Sequence, residues 1–185
     1  MRFFTLILVF CFALVALYLY LLSSLNKDVN VVLLTHVNYR TGAMFDIETV
    51  TNRVQENGST IIWDLAHSAG AVPLDLKAIN CEFAVGCTYK FLNSGPGSPS
   101  FLYVSKDILN HLKNPIKGWF GHSKPFDFEN KYKPADNINK FNAGTPSVLS
   151  LIPVNTGIDL VLEAGIMNIR NKSIELGKYL IKIII

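Results

Sequence analysis

The stretch Thr60-Ile61-Ile62-Trp63-Asp64-Leu65-Ala66-His67-Ser68-Ala69-Gly70 decides the fold. Residues 60–65 read as a short strand, apolar except for a carboxylate near its carboxyl end. His67 falls in the loop just beyond. Upstream, residues 31–34 are Val-Val-Leu-Leu, the mark of a strand buried in a parallel sheet. Between the two strands, residues 38–42 form a turn. Asp46 then caps a helix over residues 47–56, with Ile47, Val50 and Val54 on one side. Asn57-Gly58 stops that helix. Downstream, residues 83–87 and 100–104 read as further strands, and residues 106–112 as a helix. The β-α-β order predicts an α/β fold with a mostly parallel sheet covered by helices.

Beyond residue 112 the pattern changes. Residues 114–142 are polar and rich in Lys, Pro, Gly and Asn, which reads as a long irregular loop. Loops of that length in a compact domain are functional or disordered. After Pro146 the pattern turns helical, through Val148, Leu151, Ile152, Ile158, Val161 and Leu162. A second helix is expected over residues 168–185, with Gly165 between the two. The chain stops on the apolar run Ile183-Ile184-Ile185, which reads as truncation. Internal repeats are absent.

The composition agrees with a packed domain. Of 185 residues, 50% are hydrophobic and 11% aromatic, so the chain can bury a core and is not a disordered one. The net charge of +3 is small and forms no basic block, which argues against a nucleic-acid partner. Three cysteines, Cys11, Cys81 and Cys87, form neither an even set nor a C-x-x-C pair. No disulfide framework and no metal site is expected, and a reducing compartment fits best. Cys81 and Cys87 read as small core residues. Residues 3–22 carry no charge and are long enough to span a bilayer. As a possible contact with membrane, an anchor is preferred over a signal peptide, whose apolar region is shorter. A start-site or splicing artefact weighs as much as both together. The chain thus divides into an apolar segment, 1–28, and a domain, 29–185.

Several residues carry chemistry by type and place. Asp64 ends one strand and His67 follows it, where ligands of open α/β sheets bind. A carboxylate there can pair with a protonated ring nitrogen. Taken singly, Asp64 is more often a turn cap and His67 a structural histidine. Lys90 lies just past the end of the strand over 83–87 and enters Ser94-Gly95-Pro96-Gly97. An apolar strand end can desolvate a lysine amine and make it a nucleophile. A lone lysine in such a place is usually only solvated. In Gly144-Thr145-Pro146-Ser147, Thr145 suits an N-cap and Pro146 the first helical position. A helix start of that kind can hold an anion, although an ordinary cap is the commoner case. Trp119 lies in Gly118-Trp119-Phe120-Gly121-His122, in a polar loop, with an indole N–H that has no obvious partner.

Together these blocks resemble one family. D-L-A-H-S-A-G-A-V-P-L-D-L at 64–76, A-V-G-C-T-Y-K-F-L-N-S-G-P-G-S-P at 84–99, W-F-G-H at 119–122 and G-T-P-S at 144–147 look like the kynureninases in order and spacing. T-H-V-N-Y-R-T-G at 35–42 matches as well. The resemblance runs from about residue 29 to the C-terminus. It implies a partial large domain of the type I pyridoxal-phosphate fold. The implied reaction is hydrolysis of L-kynurenine or 3-hydroxykynurenine to an anthranilate and L-alanine, in tryptophan catabolism and NAD biosynthesis. It implies pyridoxal 5'-phosphate as cofactor, a kynurenine as small-molecule substrate, a homodimer and a cytoplasmic location. By position, Lys90 would carry the cofactor and Asp64 would pair with its pyridine nitrogen. His67 would lie beside the ring. Tyr89 would contact the phosphate and assist proton transfer, and Thr35 would line the pocket. Trp119 and Thr145 would reach the phosphate of the neighbouring subunit.

The chain departs from that family at both ends. The apolar segment stands where the family has an upstream half-domain, with a phosphate loop and an aromatic that stacks on the cofactor. A carboxylate-binding arginine of the family's C-terminal domain has no counterpart, since Arg170 comes too early. The chain therefore holds one wall of the site. Two alternatives follow: a membrane-anchored pseudoenzyme, and another class V aminotransferase-like enzyme. A cysteine desulfurase needs a mobile cysteine after the lysine, and none lies beyond Cys87.

Overall fold

The computed structural model describes residues 18–21 and 23–184. The apolar helix expected over 3–22 lies outside the described residues except at 18–21, which are helical. Four strands, β1 (Val31–Thr35), β2 (Thr60–Asp64), β3 (Phe83–Cys87) and β4 (Ser100–Val104), form one sheet in the order β1-β2-β3-β4. The first three run parallel, with Thr35 level with Asp64 and Asp64 level with Val85. Their carboxyl ends therefore share one edge.

The sheet is mostly parallel, as the sequence predicts, with one reversal: β4 pairs antiparallel with β3. The reason lies in the connection. Residues 88–99 form a loop that closes on itself, with the Thr88 hydroxyl and N–H both donating to the Pro99 carbonyl, so β4 starts beside the end of β3 and runs back along it. The Lys90 loop becomes the link between β3 and β4. The connection from β2 to β3 likewise consists of turns and holds no regular helix.

Helix α1 (Ile47–Glu56) starts as the sequence predicts, with the Asp46 carboxylate accepting from the Thr49 N–H at 3.1 Å. It buries Val50, Thr51 and Val54 against the sheet. These pack with Val32, Ile61, Trp63, Leu65, Cys81 and Ala84 into the core. Trp63 is fully buried, and its indole N–H donates to the Thr51 hydroxyl at 2.9 Å. A buried donor without that partner would cost about 1–3 kcal/mol. Cys81 and Cys87 are buried free thiols, as their sequence contexts suggest. Burial raises the Cys81 thiol to a pKa of about 11.

Helix α2 (Lys106–Leu109) is shorter than the expected 106–112. Its last carbonyl, on Leu109, accepts from the buried Lys140 ammonium at 3.0 Å. The 114–142 segment is not irregular throughout. Trp119–Gly121 and Ile138–Phe141 are 3₁₀ turns, Ala135 N–H donates to the Gly121 carbonyl, and Ser123 N–H to the Lys133 carbonyl. Gly118 lies so close to Ala143 that a Cβ would fall 2.0 Å from its carbonyl oxygen.

Helices α3 (Val148–Ala164) and α4 (Ile166–Ile184) follow, broken at Gly165, whose φ is +76°. The cap of α3 is Ser147, not Thr145, and no side chain caps it. Thr145 stands outside the helix, two residues before that cap. Ser147 itself is extended, with ψ 105°. No single helix among the described residues is long and apolar enough to cross a membrane, and α3 and α4 meet at a 73° bend.

Candidate functional site at the carboxyl edge of the sheet

The parallel strands deliver Thr35, Asp64 and the Lys90 loop to one edge. At the end of β2, an oxygen of Asp64 accepts the Ala66 N–H at 2.8 Å. Ser68 and Ala69 N–H both donate to the Leu65 carbonyl. This tight turn points the chain back across the strand ends and presents His67. From β3, Thr88 ties the base of the next loop. Its hydroxyl donates to the Pro99 carbonyl at 2.7 Å, and the Thr88 carbonyl accepts from Ser94 N–H. Lys90 then reaches across, and its Nζ lies 2.9 Å from His67 Nε2. Residues far apart in the chain thus meet in one hydrogen bond.

The neighbours of this pair are aromatic and polar. Lys90 Nζ lies 5.6 Å from the centre of the Tyr89 ring, within reach of a cation–π contact. The Tyr39 ring lies 6.3 Å from the His67 ring at 31°. Thr35 hydroxyl donates to the Val37 carbonyl at 2.9 Å and keeps its lone pairs for another donor. Among the described residues, His36 Nδ1 and Ser68 Oγ are buried without a hydrogen-bond partner. They follow directly on Thr35 and His67. His36 is held below its ordinary pKa by burial, with the Phe45 backbone acting in the opposite direction.

Two glycines fix the Lys90 loop by backbone contact. A Cβ on Gly70 would fall 2.5 Å from the Phe91 carbonyl oxygen, and its φ is +85°. A Cβ on Gly157, inside α3, would fall 2.2 Å from the Leu92 carbonyl oxygen. The backbone just after Lys90 is thus approached closely at Phe91 and at Leu92. Sequence reasoning missed Tyr39, Gly70 and Gly157 as site-shaping residues. The positive φ at Gly70 carries no signal in a single sequence. A glycine among the apolar residues of α3 did offer one, since it costs helix stability unless packing requires it.

Five of the expected residues, Thr35, Asp64, His67, Tyr89 and Lys90, belong to this edge. Trp119 and Thr145 do not meet them within the chain. The Trp119 indole N–H donates to the Pro125 carbonyl, which corrects the expectation of an unpartnered donor. Its ring packs with Phe120, Phe126 and Phe128. The loop supplies its own small apolar cluster, which a reading by polarity overlooks. Thr145 is exposed on the approach to α3.

The fold and the edge define an α/β protein that carries a lysine, an imidazole and a carboxylate at the ends of its parallel strands. The chain belongs to the class-V aminotransferase family, which matches residues 18–185. It is similar to the kynureninase of Pseudomonas fluorescens, 43% identical over 162 residues, covering 88% of this chain and 39% of that protein. The kynureninase of Burkholderia pseudomallei (strain K96243) is 44% identical over 154 residues, covering 83% of this chain and 37% of that protein. The chain thus spans about two fifths of the length of these curated relatives. Among solved structures, the apo cysteine desulfurase of Thermococcus onnurineus NA1 superposes with a TM-score of 0.68 at 24% identity, over 83% of this chain and 38% of that one. An alanine–glyoxylate aminotransferase from Nostoc sp. gives 0.59 at 21% identity, over 81% and 39%. These two likenesses establish the fold.

Proposed function

We propose that the chain forms the cofactor-lysine wall of a pyridoxal-phosphate-dependent hydrolase of the kynureninase kind, acting on L-kynurenine or 3-hydroxykynurenine. The observation that carries this reading is the Lys90–His67 contact at 2.9 Å, beside Asp64 on the same sheet edge. The identity to kynureninases supports it. The donor set fits the cofactor. An amine suits an aldehyde, a carboxylate suits a pyridinium nitrogen, and the hydroxyls and aromatic rings suit a phosphate and a flat ring. When bound, the cofactor supplies an electron sink for carbanion chemistry.

The protein's own groups then have distinct tasks. Lys90 would hold the cofactor by its aldehyde end. An ammonium must lose a proton before its nitrogen is a nucleophile, and His67 Nε2, 2.9 Å from Lys90 Nζ, would take it. Asp64 has one oxygen committed to Ala66, and that bond fixes the carboxylate's orientation at the strand end. The other oxygen would hold the ring-nitrogen proton. Tyr89 and Thr35 would bound the pocket. Trp119 and Thr145 would contribute across a homodimer in the cytoplasm, and Trp119 would exchange its bond to Pro125 to do so.

The test is chemical. The 185-residue chain is incubated with pyridoxal phosphate, reduced with borohydride and digested. The label is expected on the peptide carrying Lys90, and Lys90→Ala should abolish it. A label concentrated on another lysine, such as Lys106, overturns the reading. Release of fluorescent anthranilate from kynurenine tests the hydrolysis itself.

A further inference from the structure

The segment between β1 and α1 holds an aromatic ring in water by deliberate construction. Val37 and Met44 form an antiparallel bridge. Asn38 N–H donates to the Ala43 carbonyl, and Gly42 N–H donates to the Asn38 carbonyl, both at 2.8 Å. The Asn38 side chain accepts from the N–H groups of Arg40 and Thr41 at 2.9 and 3.1 Å. Gly42 turns the tip with φ +70°. The result is a small hairpin held by its own hydrogen bonds. At its tip Tyr39 is 78% exposed, yet its ring stands over His67, 6.3 Å away and tilted by 31°. His67 in turn touches Lys90.

A large aromatic side chain left in water contributes no burial free energy to the fold. Here the backbone spends several hydrogen bonds to hold it above the reactive pair. Folding alone gives no reason for that placement, and a flat guest does. Aromatic rings prefer offset-stacked or edge-to-face partners with centroids 4.5–7 Å apart. The His67 face and the Tyr39 ring offer such a corner beside the lysine amine. We infer that Tyr39 is the aryl-recognition residue of this site, stacking on the aromatic ring of the substrate and product. This rests on the reading of the site given above and names the part of the ligand that reading leaves unassigned. It places the ligand's aryl group on the β1 side of Lys90.

The experiment measures binding of anthranilate (2-aminobenzoate) to the 185-residue chain through the ligand's own fluorescence anisotropy. Wild type, Tyr39→Leu and Tyr39→Phe are compared, each checked for folding by circular dichroism. Tyr39→Leu keeps an apolar side chain and removes the ring, and it should weaken binding about 3–10-fold, the range expected for one lost aromatic pair. Tyr39→Phe should bind like wild type. Equal affinity of Tyr39→Leu and wild type overturns the inference. So does an equal loss in Tyr39→Phe, which would assign the effect to the hydroxyl.

Borohydride labelling of Lys90 runs in parallel and separates the two claims. Labelling at Lys90 with no effect of Tyr39→Leu defeats the aryl assignment alone, and so does labelling with no anthranilate binding by wild type. Anthranilate binding that depends on Tyr39, without labelling at Lys90, defeats the cofactor reading alone. Neither labelling nor binding defeats both.

Discussion

Gly157→Ala puts the placement of the Lys90 loop to the test. The added Cβ would stand 2.2 Å from the Leu92 carbonyl oxygen and 3.0 Å from the Asn93 carbonyl carbon. Both are backbone atoms and cannot rotate away. Restoring an ordinary contact requires α3 or the loop to retreat by about 1 Å. Overpacking of this kind costs about 1–3 kcal/mol, and the rigid neighbour argues for the upper end. Against it stands helix propensity, which favours alanine over glycine by about 1 kcal/mol. The clash wins, and a net loss of about 2 kcal/mol is expected, or roughly 4–8 °C in Tm for a chain of this size. Gly177→Ala in α4 is the control, because nothing lies within 4 Å of its Cβ. There propensity acts alone and should raise Tm by about 2–4 °C. Thermal melts followed by circular dichroism compare the two. The loop displacement should also slow borohydride capture at Lys90 on the order of a hundredfold, since about 1 Å of misplacement has that effect on a positioned group. A rise in Tm for Gly157→Ala equal to that for Gly177→Ala would refute the argument, because it would mean that α3 does not lean on the Leu92 carbonyl.

Two further expectations concern buried titratable groups. His36 has its pKa lowered below 6.5 by burial, so the unfolded chain binds the extra proton first. Its contribution to stability is complete above about pH 6.5 and is lost as pH falls toward the folded value; Tm should drop between pH 7 and 5, and His36→Phe should flatten that part of the profile, while an unchanged slope would count against it. Burial raises Cys81 to about 11, so at pH 8 in native protein its thiol should resist iodoacetamide and react only after denaturation, as read by peptide mapping; rapid native alkylation would contradict the burial.

The legible part of this fold was the part written in local pattern. Val-Val-Leu-Leu at 31–34 and the Asp46 cap with Val50 and Val54 each announced an element that the structure contains. Asp64 and Lys90 were placed at strand ends by the lengths of the apolar runs alone. What stayed hidden depends on contacts distant in sequence. The reversal of β4 follows from how residues 88–99 close on themselves, through Thr88 and Pro99. The Lys90–His67 contact joins two loops. The cap at Ser147 was misread because Thr145-Pro146 has the residue types of a cap and a first helical position, and nothing local shows that the helix starts two residues later. The 114–142 segment was misread because its polarity outweighed four aromatic side chains that find each other only once the chain has turned.

The two tryptophans of the chain occupy opposite environments, and that gives the molecule a pair of built-in optical reporters. Trp63 is sealed in the core with its N–H on Thr51, so its emission should be blue and its quenching by acrylamide slow. Trp119 is 44% exposed in the 119–128 aromatic cluster, so its emission should be redder and readily quenched. Trp63→Phe and Trp119→Phe separate the signals. Denaturant curves from the two single-tryptophan proteins then ask whether the sheet and the long loop unfold as one cooperative unit or let go in turn, since coincident transitions are the mark of two-state behaviour.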